Sequence, residues 1–146
     1  MVKAVWQRVA IVLLLLFVFG GCSDKKDVYI TFYDKNITNK TLPCIRYSSL
    51  PKNSRFLDVM EQIHPSNKSC RYWIELNYKN KIHCNTQANA VNEALGNFPT
   101  SYIKLELRDG MKLLYSYYKD LPKSATEDDV KESLKRLLDD IKIVNK

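Results

Sequence analysis

Glycine is scarce in this chain. There are four in 146 residues, and two of them, Gly20 and Gly21, lie at the end of the first apolar stretch. The remaining two, Gly96 and Gly110, are isolated. That excludes a glycine-rich phosphate loop. With five prolines it also excludes collagen-like and linker-dominated architectures. Histidine is scarcer still. His64 and His83 are the only two, and neither stands in a spacing that would build a Ser/His/Asp or Cys/His nucleophile system. No CxxC or HxxxH spacing occurs. A zinc site from Cys44, Cys70, Cys84 and His83 therefore has suitable ligand types and no supporting pattern. The acidic groups Glu127-Asp128-Asp129 and Asp139-Asp140 read as helix-end charge and a solvated face. The expectation is a protein that is not an enzyme and holds no metal or cofactor.

What is present is the balance of a folded chain, with 45% hydrophobic and 27% charged residues. The length argues for one domain. Much of the apolar content is concentrated in Val9 to Phe19, an uninterrupted run of 11 residues preceded by Lys3 and Arg8. A helix needs about 20 apolar residues to span a bilayer. The run instead fits the hydrophobic region of a secretory signal, with small residues at its end. An uncleaved signal anchor, or an ordinary signal peptide followed by a structural Cys22, are the alternatives.

The ending Gly20-Gly21-Cys22 resembles the lipobox of bacterial lipoproteins. In that family small residues precede a Cys that becomes the acylated first residue of the mature protein. The resemblance covers about 22 residues, with Phe19 standing where Leu is commonest. It implies removal of residues 1–21, lipidation of Cys22 through its thiolate, and stable membrane attachment by N-terminal acyl chains. Residues 22–27 become a lipidated tether and 28–146 a single periplasm-facing domain. Ser23 after the Cys implies export to the outer membrane. Asp24, one place later, keeps inner-membrane retention open.

The formal charge of the full chain is +7; losing Lys3 and Arg8 leaves 21 basic and 16 acidic residues, or +5. The bases are scattered (Lys25, Lys26, Arg46, Lys52, Arg55, Lys79, Lys81, Lys104, Arg108), as on a solvated surface. Attraction to lipopolysaccharide, phospholipid headgroups or peptidoglycan is the functional alternative. Nucleic acid is not an expected partner in that compartment. Cys44, Cys70 and Cys84 remain in the mature chain, and an exported location permits one disulfide among them. Spacing alone leaves the pair open.

Hydrophobic periodicity predicts an α+β domain: a small antiparallel sheet of four to six strands, with two or three helices packed mainly on one face. Val28 to Tyr33 alternates as a strand. Thr41 to Tyr47 is a second, with Pro43 making it an edge or irregular strand. Ser54 is the expected cap of a helix running to about His64, with Phe56, Val59, Met60 and Ile63 on one stripe. Arg71 to Lys79 alternates clearly, and Trp73 stands out on its polar side. A short return strand is expected at Lys81 to Cys84, then a helix over Gln87 to Leu95 capped by Asn85 or Thr86, with Gly96 just past its end. Ser101 to Arg108 and Met111 to Lys119 form a hairpin. A three-residue loop, Arg108 to Gly110, would pair Leu107 with Met111, Leu105 with Leu113 and Ile103 with Tyr115. Thr126 caps the last helix, whose stripe is Val130, Leu134, Leu137, Leu138 and Ile141.

Nine tyrosines are the unusual feature of the composition. Sheet packing accounts for most of them. An exposed subset, with Trp73, Tyr102 and Tyr117 as the candidates, would form a contact surface for a partner. Asn36 heads one of three Asn-X-Ser/Thr triplets, with Asn39 and Asn67 heading the others. Asp34-Lys35-Asn36-Ile37-Thr38 also fits the longer acidic sequon that bacterial oligosaccharyltransferases of some Gram-negative lineages require. The expected function is a membrane-anchored accessory or assembly subunit docking onto an envelope complex. The alternative is a binding or inhibitor module against an envelope component such as lipopolysaccharide or a cell-wall hydrolase.

Overall fold

The computed structural model describes residues 28–82 and 99–144. Seven strands and two α-helices follow in chain order. They are β1 (Val28–Phe32), a 3-10 turn (Ile37–Asn39), β2 (Thr41–Leu42), β3 (Arg46–Leu50), α1 (Ser54–Ile63), β4 (Tyr72–Lys79), β5 (Ser101–Asp109), β6 (Lys112–Leu121), α2 (Glu127–Asp140) and β7 (Lys142–Ile143). The fold is α+β, as the periodicity predicts. Cys22, His83, Cys84 and the helix expected over Gln87 to Leu95 lie outside the described residues.

The main sheet has the order β1-β6-β5-β4-β3. Three of its four pairings are antiparallel, and β3–β4 is parallel. Parallel neighbours need a crossover long enough to carry the chain back along the sheet. Here α1 supplies it. The disulfide joins Cys44, just before β3, to Cys70, just before β4, and so ties together the starts of the two parallel strands. The expected strand over Thr41 to Tyr47 is in fact two. Pro43 to Ile45 interrupts it: β2 pairs with β7 in a separate two-stranded parallel ribbon, while β3 joins the main sheet.

One face of the sheet carries the core. Ile74 and Leu76 of β4, Ile103, Leu105 and Leu107 of β5, and Tyr115 and Tyr117 of β6 are buried against Phe56, Val59 and Met60 of α1 and Val130, Leu134 and Leu137 of α2. Two tyrosine hydroxyls on the same face are satisfied at its margins. The Tyr115 hydroxyl donates to Asp140 at 2.8 Å, and the Tyr47 hydroxyl donates to the His64 carbonyl at 2.9 Å. Thr126 closes a capping box with Asp129. At α1 the cap is Asn53, whose side chain accepts from the Phe56 N–H at 3.3 Å. Ser54 is the first helical residue and not the cap. Asn53 holds extended backbone angles, which let its side-chain oxygen reach back over the first turn.

The β5–β6 register differs from expectation. Asp109 pairs with Lys112, so the loop is the two residues Gly110-Met111 and not the three residues Arg108 to Gly110. Gly110 has φ +56°, a left-handed conformation that favours glycine. Arg108 pairs with Leu113 but Leu107 pairs with Tyr115, so Leu114 is an extra residue in a bulge. Beyond it, Leu105 faces Tyr117 and Ile103 faces Lys119. Met111, expected on the core face, is 93% exposed, and Leu114 takes the buried place. The strand is drawn out because β4 reaches that far. Tyr72 pairs with Asp109, and the Arg71 guanidinium bridges the Asp109 carboxylate. Of the return strand expected at Lys81 to Cys84, the two described residues are not in a strand: Lys81 has φ +56°, and the Ile82 N–H donates to the Thr100 carbonyl.

Candidate docking surface

Strand alternation places a second set of side chains on the sheet face away from α1 and α2. Among the described residues no helix packs on this outer face. Its side chains line up in rows across the strands. The first row is Arg46, Trp73, Arg108 and Leu113; the next is Ser48, Glu75, Glu106, Ser116 and Thr31; the third is Leu50, Asn77, Lys104, Tyr118 and Tyr29. Lys79, Tyr102 and Asp120 complete it.

Trp73 sits in the first row as the sequence pattern predicts, half-buried and on the polar side of β4. Its two cross-strand neighbours are arginines. The Arg46 guanidinium carbon lies 5.3 Å from the ring centroid and that of Arg108 lies 5.9 Å away, both within cation–π range. The indole N–H donates to the Gly110 carbonyl at 2.9 Å, which fixes the ring against the hairpin loop. A flat aromatic flanked by two guanidiniums combines three features found at interface centres: large area, few rotamers and a planar donor fork.

The middle row is electrostatically stressed and then repaired. Glu75 and Glu106 are directly opposite across β4 and β5, an arrangement that costs energy when both are charged. Lys104 and Arg108 flank Glu106 on its own strand and both bridge it. Burial works against the Glu106 charge, and the hydrogen bonds and charges of Lys104 and Arg108 outweigh it, so its carboxyl lies below the ordinary value of 4.5. Glu75 accepts from the Asn77 side-chain amide at 2.8 Å.

At the far end three tyrosines step across the strands. Tyr102 and Tyr118 stack with centroids 5.5 Å apart, and Tyr29 leans on Tyr118 at 6.2 Å. The Tyr118 hydroxyl donates to Asp120 at 2.8 Å. Burial, then Asp120, pushes its pKa up to about 12. Tyr102 is half-buried and Tyr29 is 57% exposed. The structure thus brings Trp73 and Tyr102 to one face but separates Tyr117 from them. Tyr117 is 1% exposed and belongs to the core. It is not a contact residue: standing two places after Tyr115 on β6, it shares that residue's face under the helices by strand alternation. Sequence reasoning missed Arg46, Tyr118 and Tyr29 as members of this face. The alternation of β1 and β6 is the signal that could have found the two tyrosines, and that of β3 the arginine.

Elsewhere, a solvent-open cleft of about 550 Å³ lies between β1 and α2. Val28 and Ile30 line its floor, with Glu132, Lys135, Arg136 and Asp139 on α2. Among the described residues no three His, Cys, Asp or Glu side chains gather as metal ligands, and no helix is long and apolar enough to cross a membrane. Asn36 is exposed in the turn after β1. Compared with known proteins, the chain matches no family model, no curated protein and no solved structure.

Proposed function

We propose that this chain is a membrane-anchored lipoprotein without enzymatic activity, an accessory subunit that docks its outer sheet face onto a protein partner in the cell envelope. The anchor rests on Gly20-Gly21-Cys22 and the signal-like run before it. The disulfide Cys44–Cys70 agrees with an oxidising compartment. The observation that carries the docking reading is the Arg46–Trp73–Arg108 row beside the Tyr29–Tyr118–Tyr102 steps, on a face that neither α1 nor α2 occupies. Aromatic residues and arginine are the types enriched at protein contacts. The mixture of paired charges between them suits a polar, specific partner surface better than an anionic lipid surface, because Lys104 and Arg108 already serve Glu106.

One experiment tests both halves. The full chain, Cys22→Ala, Trp73→Ala and Tyr29→Ser are expressed in the native envelope. Each is followed for acyl labelling, membrane retention and crosslinked co-purification, and its mature domain for melting temperature. Cys22→Ala is expected to lose label and retention. Trp73→Ala, truncating an anchor worth about 2 kcal/mol or more, should weaken recovery by at least tenfold. Tyr29→Ser, at an exposed site, should weaken recovery with an unchanged melting temperature. An unlabelled chain that stays membrane-bound through residues 1–21 would overturn the anchor. Undiminished recovery in both aromatic variants would overturn the docking face.

A further inference from the structure

We propose that Asn36 is an N-glycosylation site, loaded from a polyprenyl-pyrophosphate-linked oligosaccharide before the turn around it docks onto the core. The proposal rests on the exported location inferred above. Three Asn-X-Ser/Thr triplets occur in the sequence, and their surroundings separate them. Asn67 is engaged: its side-chain oxygen accepts from the Ser69 N–H at 2.9 Å, next to the disulfide at Cys70. Asn39 has Ile37 two places before it, a core residue. Asn36 alone has a carboxylate there, Asp34, the feature that the acidic sequon demands. Asn36 is exposed, opens the 3-10 turn, and makes no side-chain cap hydrogen bond. Its amide is presented to solvent and not spent on the fold.

The chemistry is a glycosyl transfer. The Asn36 side-chain nitrogen attacks the anomeric carbon of the donor sugar. A carbon–nitrogen bond forms, the bond from that carbon to the pyrophosphate oxygen breaks, and the amide gives up one proton to a base of the transferase. The polyprenyl pyrophosphate leaves with the electron pair.

The fold also orders the events. A transferase reading this sequon must hold Asp34, Asn36 and Thr38 together. In the folded chain Asp34 is occupied: its carboxylate accepts from the Asn36 N–H at 3.0 Å and from Lys40 at 3.3 Å. Ile37, between Asn36 and Thr38, is 1% exposed in the core. The backbone N–H groups of Tyr33 and Asp34 both donate to the Leu114 carbonyl. Stretching the sequon into an enzyme groove would extract Ile37 and break these bonds. Transfer therefore precedes docking of this turn, and the finished glycan projects outward from an exposed residue.

The test is export of the full chain in a Gram-negative cell carrying an oligosaccharyltransferase of the acidic-sequon type and its lipid-linked donor, read by intact mass and glycopeptide mapping. A second copy carries a general secretory signal in place of residues 1–21, so failure of the Cys22 reading is visible by acyl labelling without removing the glycan test. The expected result is one glycan on Asn36. It should be lost in Asn36→Gln and Asp34→Asn, and kept in Asp34→Glu and Asn39→Gln. Purified, folded, unglycosylated chain should accept glycan at least tenfold more slowly than the newly exported chain. An exported chain without glycan, a glycan on Asn39 or Asn67, or equal modification of the folded chain would each overturn the proposal.

Discussion

Glu106 shows how one side chain on the outer face couples stability to pH. It is 5% exposed, faces Glu75 across the strand pair, and is held ionised by Lys104 and Arg108 against the cost of its burial. Folding lowers its pKa, so on acidification the unfolded chain takes up that proton first. The stabilisation is whole above the ordinary value of 4.5 and is lost as pH falls through the lower folded value. Asp34 acts in the same direction, its carboxyl lowered by the Asn36 backbone hydrogen bond and by Lys40 and Lys112, although both lysines are exposed and solvent screens them. The melting temperature is therefore expected to decline as pH falls below the ordinary carboxyl value of 4.5. Glu106→Gln should flatten that decline, measured by thermal unfolding across the range. An equally steep decline in the variant would show that the Glu106 carboxylate does not carry it.

At the scale of elements, α2 was the most legible part of the chain. Thr126 and Asp129 announce its start, and Val130, Leu134 and Leu137 recur at helical spacing and are all buried. Leu134→Ala removes a fully buried side chain between α2 and the sheet and should cost about 2–5 kcal/mol. Leu138 is on the margin of the same stripe and half-buried, so its truncation should cost less. Chemical denaturation of both variants checks the order; equal losses below about 0.5 kcal/mol would mean that α2 does not pack here. The hairpin was legible as a hairpin and not in its register. Alternation alone favours the register that aligns Met111, Leu113 and Tyr115. It carries no information on Asp109 being held by Arg71 and Tyr72 of the neighbouring chain segment, or on a bulge at Leu114. Tyr117 is a different case: standing two places after Tyr115, it shares that residue's core face in either register, and only its partner across the strand depends on the bulge. Asn53 and Ser54 are both acceptable caps in sequence, and backbone geometry decides between them.

For the whole molecule, class and layering follow from periodicity, while topology depends on contacts far apart in sequence. The parallel β3–β4 pair and the joining of Cys44 to Cys70 are one fact seen twice. The crossover through α1 brings those cysteines together, and no spacing rule selects them in advance. The outer face was half legible. Trp73 stood out because a large aromatic interrupts a polar alternation. Arg46, Tyr118 and Tyr29 joined it only once the order β1-β6-β5-β4-β3 set their strands side by side. The central claim is that this face meets a protein while the helical side does not. Site-specific photo-crosslinking in the intact envelope tests it most directly. A photoreactive residue is placed at Tyr29, Asn77 or Tyr102 on the outer face, and at Arg55, Asp58 or Lys135 on the helices. The account predicts adducts with one second protein from the outer-face positions and none from the helical ones. Adducts from the helical positions alone, or an acyl-labelled chain that crosslinks to nothing from its outer face, would contradict it.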